Sequence, residues 1–311
     1  MSSADSGHIP VLMSEVLESL APQRGETFID ATAGRGGHAS AIAAAINPGR
    51  VLLLDRDAGN LQYALDRVRE AAPDSQIDGV HGDFRSLAEI SRKQSICADL
   101  VLADLGISST QLDDAHRGFG FQQDGPLDMR LDQSCAYSAA DLIRDLRESD
   151  IADLIYNFGE DPFARLIARK VAQTRTHEPI LTTAHLARLV REAYGSRARA
   201  SRLHPATRTF MALRIAVNDE LRALEDFLKS VAHAVRSTGD GWLSRKARVA
   251  VISFHSLEDR QVKRTFATLD DEGLVTRVNR KPLIAGDCEV ASNTRSRSAK
   301  LRTVQRIARK S

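Results

Sequence analysis

The chain has 311 residues, enough for one large domain or two ordinary ones, and 43 Lys and Arg balance 41 Asp and Glu. Its three cysteines are far apart and form no CxxC pair, which argues against a disulfide framework or a zinc site. No signal pattern is visible, and no apolar run reaches the roughly 18 residues of a membrane span. We therefore expect a soluble cytoplasmic protein with no bound metal and no membrane partner.

Charge is unevenly distributed along the chain. Residues 113–160 carry 11 acidic and 4 basic side chains, whereas 191–214 carry 6 Arg and 1 Glu, and 277–311 carry 10 Lys or Arg and 2 acids. Basic stretches of this kind favour an anionic partner such as nucleic acid. Solvated helix faces and a basic tail are the alternative interpretation of each stretch taken alone.

Four short apolar segments in the first third predict β-strands that alternate with helices. The predicted helices cover 38–46 and 58–70, and such alternation is typical of a parallel sheet with buried strands. Three of the segments end in aspartate, at the edge where doubly wound sheets bind ligands. The four predicted strands are TFID (27–30), RVLLLD (50–55), QIDGVH (76–81) and ADLVLAD (98–104).

The middle of the chain predicts a helical insertion of roughly 90 residues, because no strand pattern occurs between Asp104 and Pro205. Ser138 begins a capping box, and Ser149 is placed to cap the next helix. A further helix is expected to begin at Thr182 or Thr183.

After the insertion, eight apolar residues at helical spacing predict one long helix that brings the chain back to the sheet. Three more strands are expected at 248–254, 274–278 and 301–307, with a polar hairpin loop over 279–298. Parallel strands that end in a hairpin-like pair outline a Rossmann-type methyltransferase. The apolar positions of the long helix are Phe210, Leu213, Val217, Leu221, Leu224, Leu228, Val231 and Val235.

A glycine turn between the first strand and helix predicts a nucleoside site. Gly34, Gly36 and Gly37 allow positive φ and a close approach of backbone to ligand, and the next helix points its free N–H groups at the same place. Asp55 ends the second strand 21 residues after Gly34, the spacing at which an acid reaches ribose hydroxyls. The turn also fits the loose dinucleotide fingerprint, so an NAD site stays an alternative.

Three features favour S-adenosylmethionine over NAD. Asp30 precedes the turn, where a carboxylate would meet the cationic amino-acid end of this cofactor. Asp55 and Asp104 would surround a pyrophosphate with negative charge. After the third strand, Asp83 and Phe84 are placed to serve an adenine, although Phe84 alone is equally consistent with a core residue.

Seven ordered runs between residues 8 and 302 resemble the RsmH (MraW) family, bacterial rRNA methyltransferases that modify N4 of one cytidine in the small-subunit decoding centre. Thr110 and Thr294 depart from this pattern, because the family usually has proline at both places. The matching runs are HIPVLMSEVLESL, DATAGRGGHA, DRD, DLGISSTQLDDAHRGFGFQQDGPLDMRLD, HPATRTFMALRIAVNDEL, VISFHSLEDRQVKRTF and RSRSAKLR.

The resemblance implies an α/β fold of the class I (Rossmann-like) S-adenosylmethionine-dependent methyltransferases with an inserted all-helical domain. The implied division is a methyltransferase domain over 1–112 and 206–311, with a substrate-recognition insertion over 113–205. Implied partners are the 16S rRNA and the small ribosomal subunit, and the insertion could form a homodimer. The implied cofactor-binding residues are Gly36, Gly37, His38, Asp55, Phe84, Asp104 and Gln111.

For the chemistry, Asp104 or the carbonyls of the 105–108 loop are candidates to accept the N4 hydrogens and localise the nitrogen lone pair. His255 is a candidate proton acceptor after transfer, because an unperturbed histidine titrates near neutral pH; a hydrogen-bonded structural role is its alternative. The residues expected to contact rRNA phosphates are Arg199, Arg202, Arg208, Arg295 and Arg297.

Two rival functions stay open at this point. An NAD-dependent oxidoreductase would rest on the glycine turn and Asp55. A non-catalytic rRNA-binding assembly factor would use the basic stretches and keep the sheet as a scaffold.

Overall fold

The computed structural model describes residues 10–200, 203–237 and 241–308. The chain divides into two units, Met1–Gly106 with Leu221–Ser311, and Ile107–Glu220. The second unit begins at Ile107 rather than at residue 113, where the sequence placed the start of the insertion. It ends at Glu220 rather than at residue 205.

The first unit is built on one seven-stranded sheet with the order β3-β2-β1-β4-β5-β7-β6. Neighbouring strands from β3 to β5 are parallel, and β7 runs antiparallel to both β5 and β6. The fold is therefore the Rossmann-like α/β fold of class I methyltransferases, as predicted. The strands are β1 (Thr27–Asp30), β2 (Arg50–Asp55), β3 (Gln76–His81), β4 (Ala98–Asp104), β5 (Leu243–Ser253), β6 (Val275–Arg277) and β7 (Lys300–Arg306).

Helices are numbered along the whole chain. Short 3-10 turns cover Phe84–Ser86, Ala115–Arg117, Gly195–Ala200 and Thr294–Ser298. The α-helices are α1 (Met13–Leu20), α2 (Gly37–Ile46), α3 (Ala58–Ala71), α4 (Leu87–Lys93), α5 (Ser109–Asp113), α6 (Ala139–Asp145), α7 (Glu148–Gly159), α8 (Ala164–Arg175), α9 (Thr183–Tyr194), α10 (Ala206–Asn218), α11 (Glu220–Arg236), α12 (Ser256–Asp271) and α13 (Asp287–Ser292).

Alternate strand residues fill two cores, one on each face of the sheet. Ile29, Leu52 and Val101 pack with apolar residues of α11 and α12. On the other face, Phe28 and Leu53 pack with α1, α2 and α3. The first four strands occupy the predicted residues. The prediction that all four are buried is wrong for β3, because it pairs only with β2 at the edge of the sheet and leaves its side chains partly or fully exposed.

The prediction of a single long helix after the insertion is wrong. Asp219 takes a left-handed conformation with φ 52° and separates α10 from α11. Phe210 of α10 packs in the core of the helical unit, whereas Leu224 of α11 packs in a core of the sheet. The continuous apolar stripe therefore serves two different cores, which periodicity alone does not reveal.

In the helical unit, Ser138 and Asp141 form the predicted capping box, and the Thr182 side chain caps α9. Ser149 does not cap a helix, because α7 already begins at Glu148 and has Arg147 at its N-cap position. In the described residues between β4 and β5, no strand forms. The hairpin loop expected over 279–298 contains α13 and a 3-10 turn instead. None of the helices in the described part of the chain has the length and apolarity to cross a membrane.

Candidate active site

Three aspartates lie together at the carboxyl edge of neighbouring strands β2, β1 and β4. Asp30 ends β1 and is paired with Leu53 and Leu102, so Asp55 and Asp104 each stand two residues further along their strands. Because neighbouring strands are ~4.8 Å apart, the outer two strands place these carboxylates on either side of Asp30. The predicted meeting of the three strand-terminal acids is therefore a consequence of strand order.

The three aspartates also share one face of the sheet. Side chains two positions apart on a strand lie on the same face of the sheet, so the aspartates share a face with Phe28, Leu53 and Leu102. These three apolar residues lie in the core covered by α1, α2 and α3. The same face carries the N-terminus of α2, whose first N–H groups have no intrahelical partner. The site thus combines carboxylates with the positive end of a helix.

Burial makes two of the carboxyl groups, Asp30 and Asp55, weaker acids than usual. It raises the pKa of Asp30 to about 7, although the Thr32 N–H donates to this group. It raises the pKa of Asp55 to about 6, although Asp55 accepts from the N–H groups of Asp57 and Gly34 at 2.7 Å each. Asp55 therefore also fixes the glycine turn relative to β2.

Asp104 is the most perturbed of the three. Burial, with Asp30 and Glu258 nearby, raises its pKa to about 8. Its backbone N–H donates to Thr32 Oγ1 at 2.6 Å, which ties the ends of β4 and β1 together. Its Oδ1 is buried and has no hydrogen-bond partner among the described residues. A buried carboxylate oxygen without a donor is placed to accept from a bound cation or N–H group.

His38 faces the other oxygen of Asp104. Its Nδ1 lies 3.6 Å from Asp104 Oδ2, and its Nε2 lies 2.9 Å from the carbonyl oxygen of Val11. A carbonyl only accepts, so Nε2 carries a hydrogen and donates to Val11. The distance of 3.6 Å between Nδ1 and Oδ2 is that of an electrostatic contact and is too long for a direct hydrogen bond.

The glycine turn needs its glycines. Gly34 and Gly36 have φ of 50° and 71°, and Gly36 is the N-cap of α2. A Cβ on Gly36 would lie 3.0 Å from the Cα of Ala64, and one on Gly37 would lie 2.5 Å from Cγ of Pro10. Side chains at Gly36 and Gly37 would therefore clash with Ala64 and Pro10.

These observations test which cofactor fits. The unpartnered Oδ1 of Asp104 and the three clustered carboxylates suit a cationic ligand and oppose a pyrophosphate. The N-terminus of α2, the positive end of the helix dipole, suits a carboxylate. A methionine-like end with a sulfonium and a zwitterionic amino acid offers both signs of charge, so the residues present fit S-adenosylmethionine.

The residues expected at the adenine have other contacts as well. The Phe84 ring meets Phe227 edge-on with centroids 5.6 Å apart, and it packs at the border of a core. Asp83 caps the following 3-10 turn, and its Oδ2 forms ion pairs with Arg56 Nη1 at 3.4 Å and Arg85 Nε at 3.1 Å. Their roles in adenine binding stay predictions.

His255 and Gln111 each serve as a helix cap. His255 Nδ1 accepts from the N–H of Glu258 at 3.4 Å, and its Nε2 lies 3.1 Å from Glu258 Oε1, so the ring is held at the start of α12. Gln111 belongs to the second unit, where its Oε1 accepts from the Ser108 N–H and completes a capping box. Thr110 Oγ1 lies 3.0 Å from Ser108 Oγ in the same turn. Neither cap tests the predicted chemical roles.

The arginines expected to contact RNA are divided between the units. Arg199 and Arg297 are exposed, Arg208 donates to the carbonyl of Glu160, and Arg295 is half-buried. Arg202 lies outside the described residues. Their contact with RNA stays a prediction.

Sequence reasoning missed Thr32 and Val11 as parts of the site. Thr32 stands inside the glycine-rich run, so its position was a usable signal. Val11 contributes its main-chain carbonyl, and the residue type at a position does not indicate such a contact.

Comparison with known proteins identifies the relatives of this chain. Residues 5–307 match the sequence model of the MraW methylase family. The protein named Ribosomal RNA small subunit methyltransferase H from Deinococcus radiodurans is 44% identical over 97% of this chain and 90% of its own length. The protein of the same name from Trichlorobacter lovleyi is 42% identical over 96% of this chain and 98% of its own. The chain belongs to the MraW methylase family.

Proposed function

We propose that this protein transfers a methyl group from S-adenosylmethionine to N4 of cytidine 1402 in the 16S rRNA of the small ribosomal subunit. The observation that carries the proposal is identity of 42–44% along nearly the whole chain to proteins named for small-subunit rRNA methylation. Membership of a methylase family leaves the NAD-dependent oxidoreductase without support.

The contacts of the first unit support the cofactor part of the proposal. S-Adenosylmethionine supplies an electrophilic methyl group when bound. Gly36, Gly37 and His38 would hold its methionine end at the start of α2, and Asp55 would accept from its ribose hydroxyls. Asp30 and Asp104 supply the negative charge that a cationic donor needs.

Asp104 is the residue that we assign to the reaction itself. The N4 lone pair of cytosine is conjugated into the ring, and an acceptor on the N4 hydrogens would localise it on nitrogen. The buried Oδ1 of Asp104 has no donor among the described residues, so it is free to accept such a hydrogen once ionised. His38 Nδ1 lies 3.6 Å from the other oxygen of this carboxylate, Oδ2. The role of His255 as proton acceptor stays a prediction, and it would require that Nδ1 give up the hydrogen bond that it accepts from the N–H of Glu258.

The proposal is tested by methylation of isolated small subunits and of free 16S rRNA with labelled cofactor, followed by mass spectrometry of the nucleosides. We expect N4-methylcytidine with one of these substrates, and none when the target cytidine is changed to uridine. Asp104→Asn is expected to lower the turnover number strongly while RNA binding is retained. A wild-type protein that binds the subunit tightly but forms no methylcytidine would instead support the non-catalytic assembly factor.

A further inference from the structure

A small basic cleft lies in the first unit between α12 and the strand pair β6–β7. Its volume is 30 Å³. That is room for about two waters, at roughly 10–15 Å³ for each, so a single phosphate group fits and a nucleoside does not. The side chains that line it include Lys263, Phe266, Arg277, Asn279, Arg280 and Arg302.

The charges around this cleft are not balanced. Four lining residues are cationic and none is acidic. Arg302 Nε donates to Asp259 Oδ1 at 2.7 Å, but the same carboxylate also accepts from Lys300 Nζ at 3.2 Å. Arg277 is held by Asp270 at 2.7 Å. The two acids thus orient these partly buried arginines and leave an excess of positive charge at the cleft.

Two of the cations have no such anchor. Lys263 and Arg280 are exposed, and neither has an ion-pair partner within the described ranges 10–200, 203–237 and 241–308. Arginine presents donors in a planar fork that matches phosphate oxygens, and lysine adds a point charge. A cleft with two fixed guanidinium groups and two unpaired cations at its mouth is complementary to a phosphate.

The cleft also lies near the edge of the sheet that carries the active site. Arg302 of β7 is paired with Val251, and the next β5 residue, Ile252, is paired with Asp104. Strands β4 and β7 are two spacings apart, which is about 10 Å at ~4.8 Å each. Arg302 alternates with Leu301, which packs on the face of Asp104, so the cleft opens on the opposite face. A chain crossing this edge could reach both places.

We propose that the cleft binds one backbone phosphate of the RNA substrate, a few nucleotides from the methylated cytidine. The inference rests on the proposed function, because it takes RNA as the source of the phosphate. Phosphate contacts position a nucleic acid without reading its sequence, so this site sets the register of the substrate at the active site.

The test uses the double variant Lys263→Glu with Arg280→Glu, which leaves the ion pairs of the cleft intact. Lys246→Glu is the matched control, since it reverses an exposed charge in the same unit at the opposite end of β5. We expect KM for the RNA substrate and the direct Kd for RNA to rise on the order of tenfold in the double variant. The slope of log K against log salt should flatten by about 0.7–0.9, the loss of one phosphate contact. The affinity for S-adenosylmethionine, which binds at the carboxyl edge and not in this cleft, should stay unchanged.

The following outcomes decide whether the cleft binds an RNA phosphate. A double variant with the RNA affinity and salt slope of the control would overturn it. Loss of binding of inorganic phosphate, with RNA affinity unchanged, would also overturn it, because the cleft would then bind the free ion. If the wild-type protein formed no methylcytidine, the proposed function would fail, but the direct RNA-binding comparison would still decide on the cleft.

Discussion

Affinity for S-adenosylmethionine should rise steeply with pH, because the site must ionise to meet a cation. Asp104, with a pKa of about 8, is only about 1% ionised at pH 6 and about half ionised at pH 8. If only the ionised site binds, the apparent Kd equals the intrinsic Kd divided by that fraction. The affinity should then increase about 50-fold from pH 6 to pH 8, and ionisation of Asp30 adds to this rise.

Calorimetric titration at several pH values measures this dependence, and buffers of different ionisation enthalpy report the protons released on binding. Near pH 6 to 7 we expect release of at least one proton. Asp104→Asn should bind more weakly at pH 8 and keep only the smaller rise due to Asp30. Asp78→Asn, which removes a carboxylate from edge strand β3, is the control. A wild-type Kd that changed less than twofold between pH 6 and 8 would refute the reasoning.

Three further outcomes follow from the same site. The folded pKa values of the three aspartates lie above the unfolded value of ~3.9. Their contribution to the free energy of unfolding is therefore complete below that pH and is lost as the pH rises through about 6 to 8. The melting temperature of the cofactor-free protein should fall as the pH rises through this range, and a constant melting temperature would contradict the prediction. Asp55→Ala should largely abolish cofactor binding in calorimetry, whereas unchanged affinity would exclude the ribose contact. Gly37→Ala should weaken the cofactor and destabilise the fold, because its Cβ would meet Pro10 at 2.5 Å, and an unaltered thermal melt and Kd would show that Pro10 can move aside.

The sheet was predictable because its strands carry their own signal. Segments such as RVLLLD are short, apolar and bounded by turns, and helices between them force parallel pairing. The strand-terminal aspartates could be grouped for the same reason, since strand ends of a parallel sheet share one edge. The exposure of β3 was missed although QIDGVH carries a signal, because only Ile77 and Val80 are apolar in it, against four residues of RVLLLD. The strand order that puts β3 at the edge of the sheet was not predicted.

The break at Asp219 shows a different limit. Apolar residues continue at helical spacing through the break, so hydrophobic periodicity predicts one helix. Whether a stripe meets one core or two is decided by long-range packing, which no local window contains. The boundary between the two compact units falls at this place, between Glu220 and Leu221, whereas the sequence prediction set the end of the insertion at residue 205.

The two histidines of the predicted site show why side-chain roles are the hardest part to infer. Both are nearly buried, and both lie close to a carboxylate, His38 to Asp104 and His255 to Glu258. What separates them is the partner of the second ring nitrogen. His38 donates to the Val11 carbonyl, which turns its other nitrogen towards Asp104. His255 accepts from a helix N–H, which commits its lone pair to the start of α12. Tautomer follows from backbone contacts, so chemistry at this site is set by groups that the side-chain sequence does not display.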